Sequence, residues 1–456
     1  MLPINSEIFK AYDIRGIYGQ DFDNEMAYLL GLAFVELRKK DGDCGCGKLQ
    51  IAVGMDMRLS SPSLKDNLIR GLTDAGAEAI FLGLVSTPTF YFAVSKYNYQ
   101  GGIMISASHN PKEWNGFKIV RAKGIPVSGD TGINFLKELV LLNHFLPATE
   151  KGEELINDSA LEDELNYTWS LIDVAKIKKF KIVADAANGM GAMYLNRILT
   201  LAPGEATPLN FKLDGTFPAH EADPLKEENL ADLKKEVYKQ KADLGIASDG
   251  DGDRIFFVDN EGETINPAII RGLLAQSFLQ GKPGAKIGYD VRPGKITPDL
   301  ISAAGGIPVI TRVGHSLIKE QMIKEDIYFA GESSGHFYFN SPVGCFEFPS
   351  LMILKLLLVF SASDLPISEQ IKQYKKYFLS GEINRDVKDK DLVFKTIEEK
   401  YASGKINKLD GVSVEFPDFW FNVRGSNTEP KIRLNLEAIS QEIMEKKLDE
   451  VLELIK

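Results

Sequence analysis

The sequence predicts an α/β protein of four domains, three of them similar units with mixed sheets and the last a smaller α+β unit. Three observations carry that expectation. At 456 residues the chain is too long for a single hydrophobic core. A strand pattern ending in an acidic turn occurs three times, each time followed by the same order of helix and strands. The C-terminal stretch then changes rhythm.

The first copy of the repeat is residues 48–56, where Ile51, Ala52 and Val53 lead to Asp56. Residues 179–185 repeat it and end on Asp185, and residues 285–290 repeat it again and end on Asp290. A helical stretch and a second short strand come next, at residues 78–82, 206–210 and 308–311. A third strand then runs into a polar loop, beginning at Ser106, Ser248 and Gly331. Alternation of this kind predicts largely parallel sheets covered by helices, with ligands bound beyond the carboxyl ends of the strands. Three units delivering one polar loop each point to one composite site in a cleft between domains.

From about residue 365 the pattern differs. A helix is expected near residues 368–377, then a charged strand and a second helix around 395–403. Residues 411–416 and 419–423 read as β-rich stretches separated by Pro417, residues 431–436 as a strand and 440–456 as an amphipathic closing helix. The domain bounds are 1–148, 149–254, 255–367 and 368–456.

Composition narrows the function classes. A net charge of −11 argues against a nucleic-acid binder, so an anionic ligand has to be met by a local cluster of positive groups. The longest apolar run, residues 351–360, is short and interrupted by Lys355, so no membrane span is expected. The start of the chain lacks the basic and apolar segments of a signal peptide. Three cysteines, Cys44, Cys46 and Cys345, cannot build a disulfide framework, and Cys44 and Cys46 have no further Cys or His nearby to complete a zinc site. The expected setting is cytoplasmic.

Four loops carry chemistry. Ser106-Ala107-Ser108-His109-Asn110-Pro111 follows an apolar strand, and Pro111 forces loop after it, so Ser108 is a candidate nucleophile at a strand end. Asp249-Gly250-Asp251-Gly252-Asp253-Arg254 sets three carboxylates at alternate positions, a pattern suited to one hard cation. An EF-hand would need Gly and Glu where Arg254 and Asn260 stand, so that reading fails and magnesium is the expected ion. Gly331-Glu332-Ser333-Ser334-Gly335-His336 offers groups for sugar hydroxyls. Arg424-Gly425-Ser426-Asn427-Thr428-Glu429-Pro430 combines a guanidinium, hydroxyls and loop amides suited to a phosphate dianion. Tyr12 to Gly16 with Arg15, Asn115 to Lys118, and the turn Gly314-His315-Ser316 add polar and positive groups. Of five histidines, His109, His315 and His336 fall in these loops, while His144 and His220 read as structural or exposed. A serine nucleophile, a divalent cation, a hydroxyl-binding loop and a phosphate-binding loop together specify phosphoryl transfer on a sugar phosphate.

On those four motifs, in that order, the chain resembles the α-D-phosphohexomutases, and most closely their phosphomannomutase/phosphoglucomutase branch. The resemblance implies a four-domain phosphohexomutase architecture around a central cleft. It implies that Ser108 carries a phosphoryl group and that Asp249, Asp251, Asp253 and the phosphoserine bind Mg2+. Arg15, Lys118 and Arg254 would line the cleft, with Lys118 and His336 candidates for proton transfer and His109 supporting the serine loop. Tyr12, Arg292, His315, Glu332 and Ser334 would meet the sugar. Arg424, Ser426, Asn427 and Thr428 would hold the phosphate that is not reacting.

The implied reaction is reversible conversion of hexose 1-phosphate to hexose 6-phosphate, mannose and glucose both being plausible, with a hexose 1,6-bisphosphate as intermediate and activator. Monomer and homodimer are both open. Departures from the family pattern are Arg292, where many relatives have Lys and where Arg cannot act as a base, and Met55, where Arg is common. Ser333 occupies a variable place in the sugar loop. Asn427 disfavours a phosphoglucosamine mutase. A non-catalytic sugar-phosphate-binding protein would not need three aspartates. A serine hydrolase would need the usual glycine-flanked elbow, whereas Ser108 is followed by His109.

Overall fold

The computed structural model describes residues 4–42, 47–145, 148–425 and 431–455. Cys44, Cys46, Ser426, Asn427 and Thr428 therefore lie outside the described residues. The chain forms two compact units. The first is Met1–Ile265 with Gly335–Ser368, and the second is Asn266–Ser334 with Glu369–Lys456.

Unit 1 opens with β1 (Ile14–Ile17), β2 (Gln50–Met55), β3 (Glu78–Leu84), β4 (Gly101–Ile105), β5 (Trp114–Arg121) and β6 (Glu154–Ile156), ordered β1-β5-β4-β2-β3-β6 in one sheet. β2 pairs in parallel with β3 and β4, whereas β5 runs antiparallel to β4 and β1. The middle of β2 and all of β4 are buried, as expected of strands covered by helices on both faces. Leu30 and Phe34 from the helix Asn24–Lys40 and Leu68 from Ser61–Asp74 meet Ile51, Val53, Ile103 and Phe117 in one core. Each such side chain contributes about 1.5–3 kcal/mol on leaving water.

A second sheet follows, β7 (Phe180–Asp185), β8 (Gly204–Leu209), β9 (Leu244–Ser248) and β10 (Ile255–Asp259), ordered β10-β9-β7-β8. In unit 2, β11 (Lys286–Asp290) pairs in parallel with β12 (Ile307–Thr311) and β13 (Ile327–Gly331). The chain returns to unit 1 with the antiparallel pair β14 (Phe337–Asn340) and β15 (Cys345–Glu347). The three-fold repeat read from the sequence is therefore present, with its first, second and third strands at β2, β3 and β4, then β7, β8 and β9, then β11, β12 and β13.

The acidic residue ending the first strand of each repeat has a structural task. Asp56 accepts from the Arg58 amide at 3.0 Å and the Ser61 hydroxyl at 2.7 Å. Asp185 accepts from the Ala187 amide at 2.8 Å and Asn210 at 3.0 Å. Asp290 accepts from the Ser333 amide at 2.9 Å and its hydroxyl at 3.0 Å. In each case a strand-end carboxylate ties down loop donors that would otherwise be left unsatisfied at the carboxyl edge of the sheet.

The rest of unit 2 is a five-stranded sheet of β16 (Phe378–Asp386), β17 (Lys405–Asn407), β18 (Val412–Glu415), β19 (Phe419–Gly425) and β20 (Lys431–Ala438), ordered β16-β20-β19-β18-β17 and antiparallel throughout. Val423, Leu434 and Leu436 pack on Ile397 and Val451 from two helices. Two expectations shift here. The helix placed around residues 395–403 runs Lys390–Lys400, because the Asp389 carboxylate caps the amides of Asp391 and Leu392. The helix expected near 368–377 is Ile367–Lys372. None of the described helices is long and apolar enough to cross a membrane.

Glu437 on β20 is buried and accepts the Lys295 amide at 2.8 Å and the Trp420 indole N–H at 2.6 Å. Burial nonetheless pushes its carboxyl up to about 7. Since the folded pKa lies above the unfolded one, this group's contribution is full below pH 4.5 and is lost as pH rises through about 7. The loss is at most about 3 kcal/mol. Glu437→Gln keeps an acceptor without the charge. Its melting temperature should therefore fall less than that of the parent between acidic and mildly alkaline pH, read by thermal unfolding across that range. Parallel curves would show that Glu437 does not titrate there.

Candidate active site

The serine loop is built by β4 ending at Ile105 and the chain turning back into β5. Ser108 is buried and adopts a left-handed backbone (φ 51°), a conformation that costs energy for a residue with a Cβ. Its amide donates to the Ser106 hydroxyl at 2.9 Å. Its own hydroxyl donates to Asp249 Oδ2 at 2.9 Å and lies 3.2 Å from His109 Nδ1. Burial, with Arg254 and Arg15 close by, pushes the His109 imidazole well below its ordinary value, so the ring is neutral.

The acidic loop comes from the tight connection between antiparallel β9 and β10. Asp249 Oδ1 accepts the amides of Gly252, Asp253 and Arg254 at 3.1, 3.1 and 3.2 Å, which folds the loop around that carboxylate. Glycine is required at position 250, because a Cβ there would stand 2.5 Å from the Ser108 carbonyl oxygen. Asp251 accepts the Thr87 hydroxyl at 2.6 Å, and Thr87 begins the helix Thr87–Lys96.

Lys118 on β5 reaches across to this loop. Its ammonium lies 2.5 Å from Asp251 and 2.6 Å from Asp253, all three groups being buried. Burial alone would lower the amine, but the two carboxylates outweigh it and hold Lys118 well above its ordinary pKa. Burial and Asp253 push Asp251 up, yet the Lys118 ammonium brings it below the usual carboxylate value. Asp249 has no such partner at hydrogen-bond range. Burial first, and then its two acidic neighbours, drive it well above the ordinary value.

These residues fit a hard divalent cation. The three carboxylates each present an oxygen within 4.8 Å of the others, and Asp251 Oδ1 has no hydrogen-bond partner among the described residues. A divalent ion would offset both the burial and the mutual repulsion that lift Asp249.

Around this centre stand the other residues of unit 1 named from the sequence. Arg15 on β1 donates to Asp13 at 2.7 Å and to Asn110 Oδ1 at 2.9 Å, reaching the serine loop. Tyr12 precedes that pair and is half-buried. Arg254 Nε donates to His336 Nε2 at 3.0 Å, which leaves the ring proton on Nδ1. His336 Nδ1 faces Asp253 at 3.5 Å and Glu347 at 3.8 Å. Unit 1 thus brings together Ser108, His109, Arg15, Lys118, the three aspartates, Arg254 and His336.

Unit 2 assembles a second group. Arg292 donates to Asp290 at 2.7 Å and lies 3.5 Å from Glu332 and 3.4 Å from the Ser334 hydroxyl. Glu332 also accepts the Gly314 amide at 3.1 Å, which ties it to the turn bearing His315. Arg424 donates to Glu382 at 3.0 Å. Burial and the positive charge of Arg292 lower the Arg424 guanidinium, so two cationic groups share one neighbourhood suited to an anion.

Sequence reasoning missed Thr87, Glu347, Glu382 and two arginines, Arg58 and Arg271. Arg271 is fully buried, paired to Asp290 at 3.2 Å and bonded to the Gly331 carbonyl at 3.1 Å. For Arg58 a signal existed, since Asp56-Met57-Arg58 repeats the register of Asp290-Val291-Arg292.

Comparison with known proteins matches the chain in four successive stretches. Residues 6–139, 163–262 and 266–377 match the alpha/beta/alpha domains I, II and III of phosphoglucomutase/phosphomannomutase, and residues 382–454 match its C-terminal domain. The chain is 39% identical to a phosphomannomutase from Vibrio cholerae, over 98% of each chain. It is 38% identical to one from Methanocaldococcus jannaschii, over 98% of this chain and 97% of that one. A phosphoglucomutase/phosphomannomutase family protein from Burkholderia thailandensis superposes with a TM-score of 0.87 at 31% identity, covering 100% of this chain and 98% of its own. Four matching domains in order, and full-length relatives at this identity, mean that the chain belongs to the phosphoglucomutase/phosphomannomutase family of hexose-phosphate mutases.

Proposed function

We propose that the chain interconverts hexose 1-phosphate and hexose 6-phosphate by passing a phosphoryl group through Ser108. The observation that carries this reading is the 2.9 Å hydrogen bond from the Ser108 hydroxyl to Asp249, at the edge of a buried loop of three aspartates. In the phosphorylated protein the phosphoryl group leaves Ser108 Oγ as the free hydroxyl of a hexose monophosphate bonds to phosphorus. The product is a hexose 1,6-bisphosphate. After it reorients, its other phosphoryl returns to Ser108 and the second monophosphate departs.

Asp249, Asp251, Asp253 and the phosphoserine are the groups that would hold Mg2+. Bound there, the ion would neutralise charge on the transferring group, the dominant need in phosphoryl transfer. Lys118, held as an ammonium between Asp251 and Asp253, is one candidate for proton transfer. His336 is the second candidate for proton transfer, and for it to take a proton its Nε2 must first be released by Arg254. Arg15 steadies the serine loop.

In unit 2, Arg292, Glu332 and Ser334 would meet sugar hydroxyls, His315 would close on the ligand, and Arg424 with Ser426, Asn427 and Thr428 would grip the distant phosphate. Gripping either end alike lets each carbon react in turn. Mannose and glucose differ only at carbon 2, so both are proposed substrates. We take the chain as four domains, 1–148, 149–254, 255–367 and 368–456, working in the cytoplasm as a monomer or homodimer.

A coupled assay of mannose 1-phosphate against glucose 1-phosphate, with magnesium and the bisphosphate, tests the reading. Activity on either sugar supports it, and Ser108→Ala should lower kcat by at least about a thousandfold. Full activity in that variant would refute a serine carrier. Magnesium should also stabilise the parent protein, by about 3 kcal/mol at a hundredfold excess over Kd, whereas Asp251→Asn should abolish most of that gain in thermal unfolding. An equal gain in the variant would place the ion elsewhere.

A further inference from the structure

We propose that Arg58 is the positioning residue of the serine loop, fixing the backbone on which Ser108 accepts and returns its phosphoryl group. Only the kinetic part of this inference rests on the phosphoryl-transfer reading. Arg58 is fully buried, and its two terminal nitrogens are spent on one segment. Nη1 donates to the carbonyls of Pro111 at 2.7 Å and Trp114 at 2.9 Å. Nη2 donates to those of Ser108 at 2.8 Å and Asn110 at 2.6 Å.

Three carbonyl oxygens of the loop, with that of Trp114 where β5 begins, are thus gathered on one cation. Two consequences follow. The Ser108 backbone is held in its disfavoured left-handed state from the buried side. The carbonyls also turn inward to Arg58, so these partial negative charges do not face a phosphoryl dianion on Ser108 Oγ. A planar fork is needed to serve four acceptors at once, and lysine cannot supply it.

Arg58 is itself fixed from two sides. Its Nε lies 3.2 Å from Asp56, which also accepts its amide at 3.0 Å. From the second sheet's side, the Phe217 ring covers the guanidinium at 5.1 Å. Gly215 lets that segment close in, since a Cβ there would stand 2.6 Å from the Met57 carbonyl oxygen and 2.7 Å from the Arg58 Cα. The loop that completes the clamp thus belongs to the same sheet unit as the three aspartates.

The third repeat supplies an internal contrast. Arg292 occupies the register of Arg58, yet its guanidinium turns to Glu332 and Ser334. The same repeat position holds a loop in the first copy and faces hydroxyl-binding groups in the third.

The test uses the full-length protein with Arg58→Lys, which keeps the charge beside Asp56. Amide hydrogen exchange in residues 106–114 should rise by about tenfold while other segments stay as in the parent. With magnesium and the bisphosphate, kcat should fall by about ten- to a hundredfold, with KM changed by less than about twofold. Unchanged exchange in the loop overturns the proposal, as does faster exchange with an unaltered kcat. A general loss of protection across unit 1 would mark a folding role and overturn it too. If Arg58→Lys does not fold, Phe217→Leu leaves all four hydrogen bonds but loosens their donor, and should shift exchange in the same segment and direction. If the parent shows no mutase activity, the reaction reading fails while the exchange data still decide the clamp.

Discussion

Three carboxylates sealed in one loop against a serine hydroxyl form the constraint on which the rest of unit 1 depends. Asp249, Asp251 and Asp253 are all buried, and one buried unpaired charge already costs several kcal/mol. The loop survives because its charges are met from several directions. Backbone amides fold onto Asp249, Thr87 donates to Asp251, and the Lys118 ammonium bridges Asp251 and Asp253. Each partner comes from a different element, so the first two sheets must meet correctly before the loop is tolerable.

That arrangement leaves Asp249 as the poorly compensated member, and it is the one bonded to Ser108. An ionised carboxylate beside that hydroxyl would repel a phosphoryl group. Under the proposed function, a divalent cation held there would offset that charge, and the same loop that burdens the fold would serve phosphoryl transfer. Unit 2 has the opposite character. Arg271, Arg292, Arg424 and Arg433 are only partly offset by Asp290, Glu332 and Glu382, a composition suited to hydroxyls and an anion.

The repeat was legible because its signals are local. Burial runs and strand-end aspartates lie within a few residues of one another, and the structure uses each of those aspartates as a loop tether. The serine and metal loops were legible for the same reason, as dense polar motifs directly after apolar strands. What the sequence hid are partners joined over long separations. Thr87 and Asp251 lie 164 residues apart, and neither Ser86-Thr87-Pro88 nor its surroundings look like more than a helix start. Arg58 grips a loop some 50 residues on and Glu347 reaches His336 from another strand, contacts that only the folded sheets create. The helix at Lys390–Lys400 was misplaced because a single capping carboxylate, Asp389, decides its start.

The most direct measurement is the mass of the peptide bearing Ser108 after incubation with hexose 1,6-bisphosphate and magnesium. A single phosphoryl adduct on Ser108, transferred away when hexose monophosphate is added, is what this account predicts. An adduct on another residue, or none on Ser108 while the protein turns over its substrate, would contradict it.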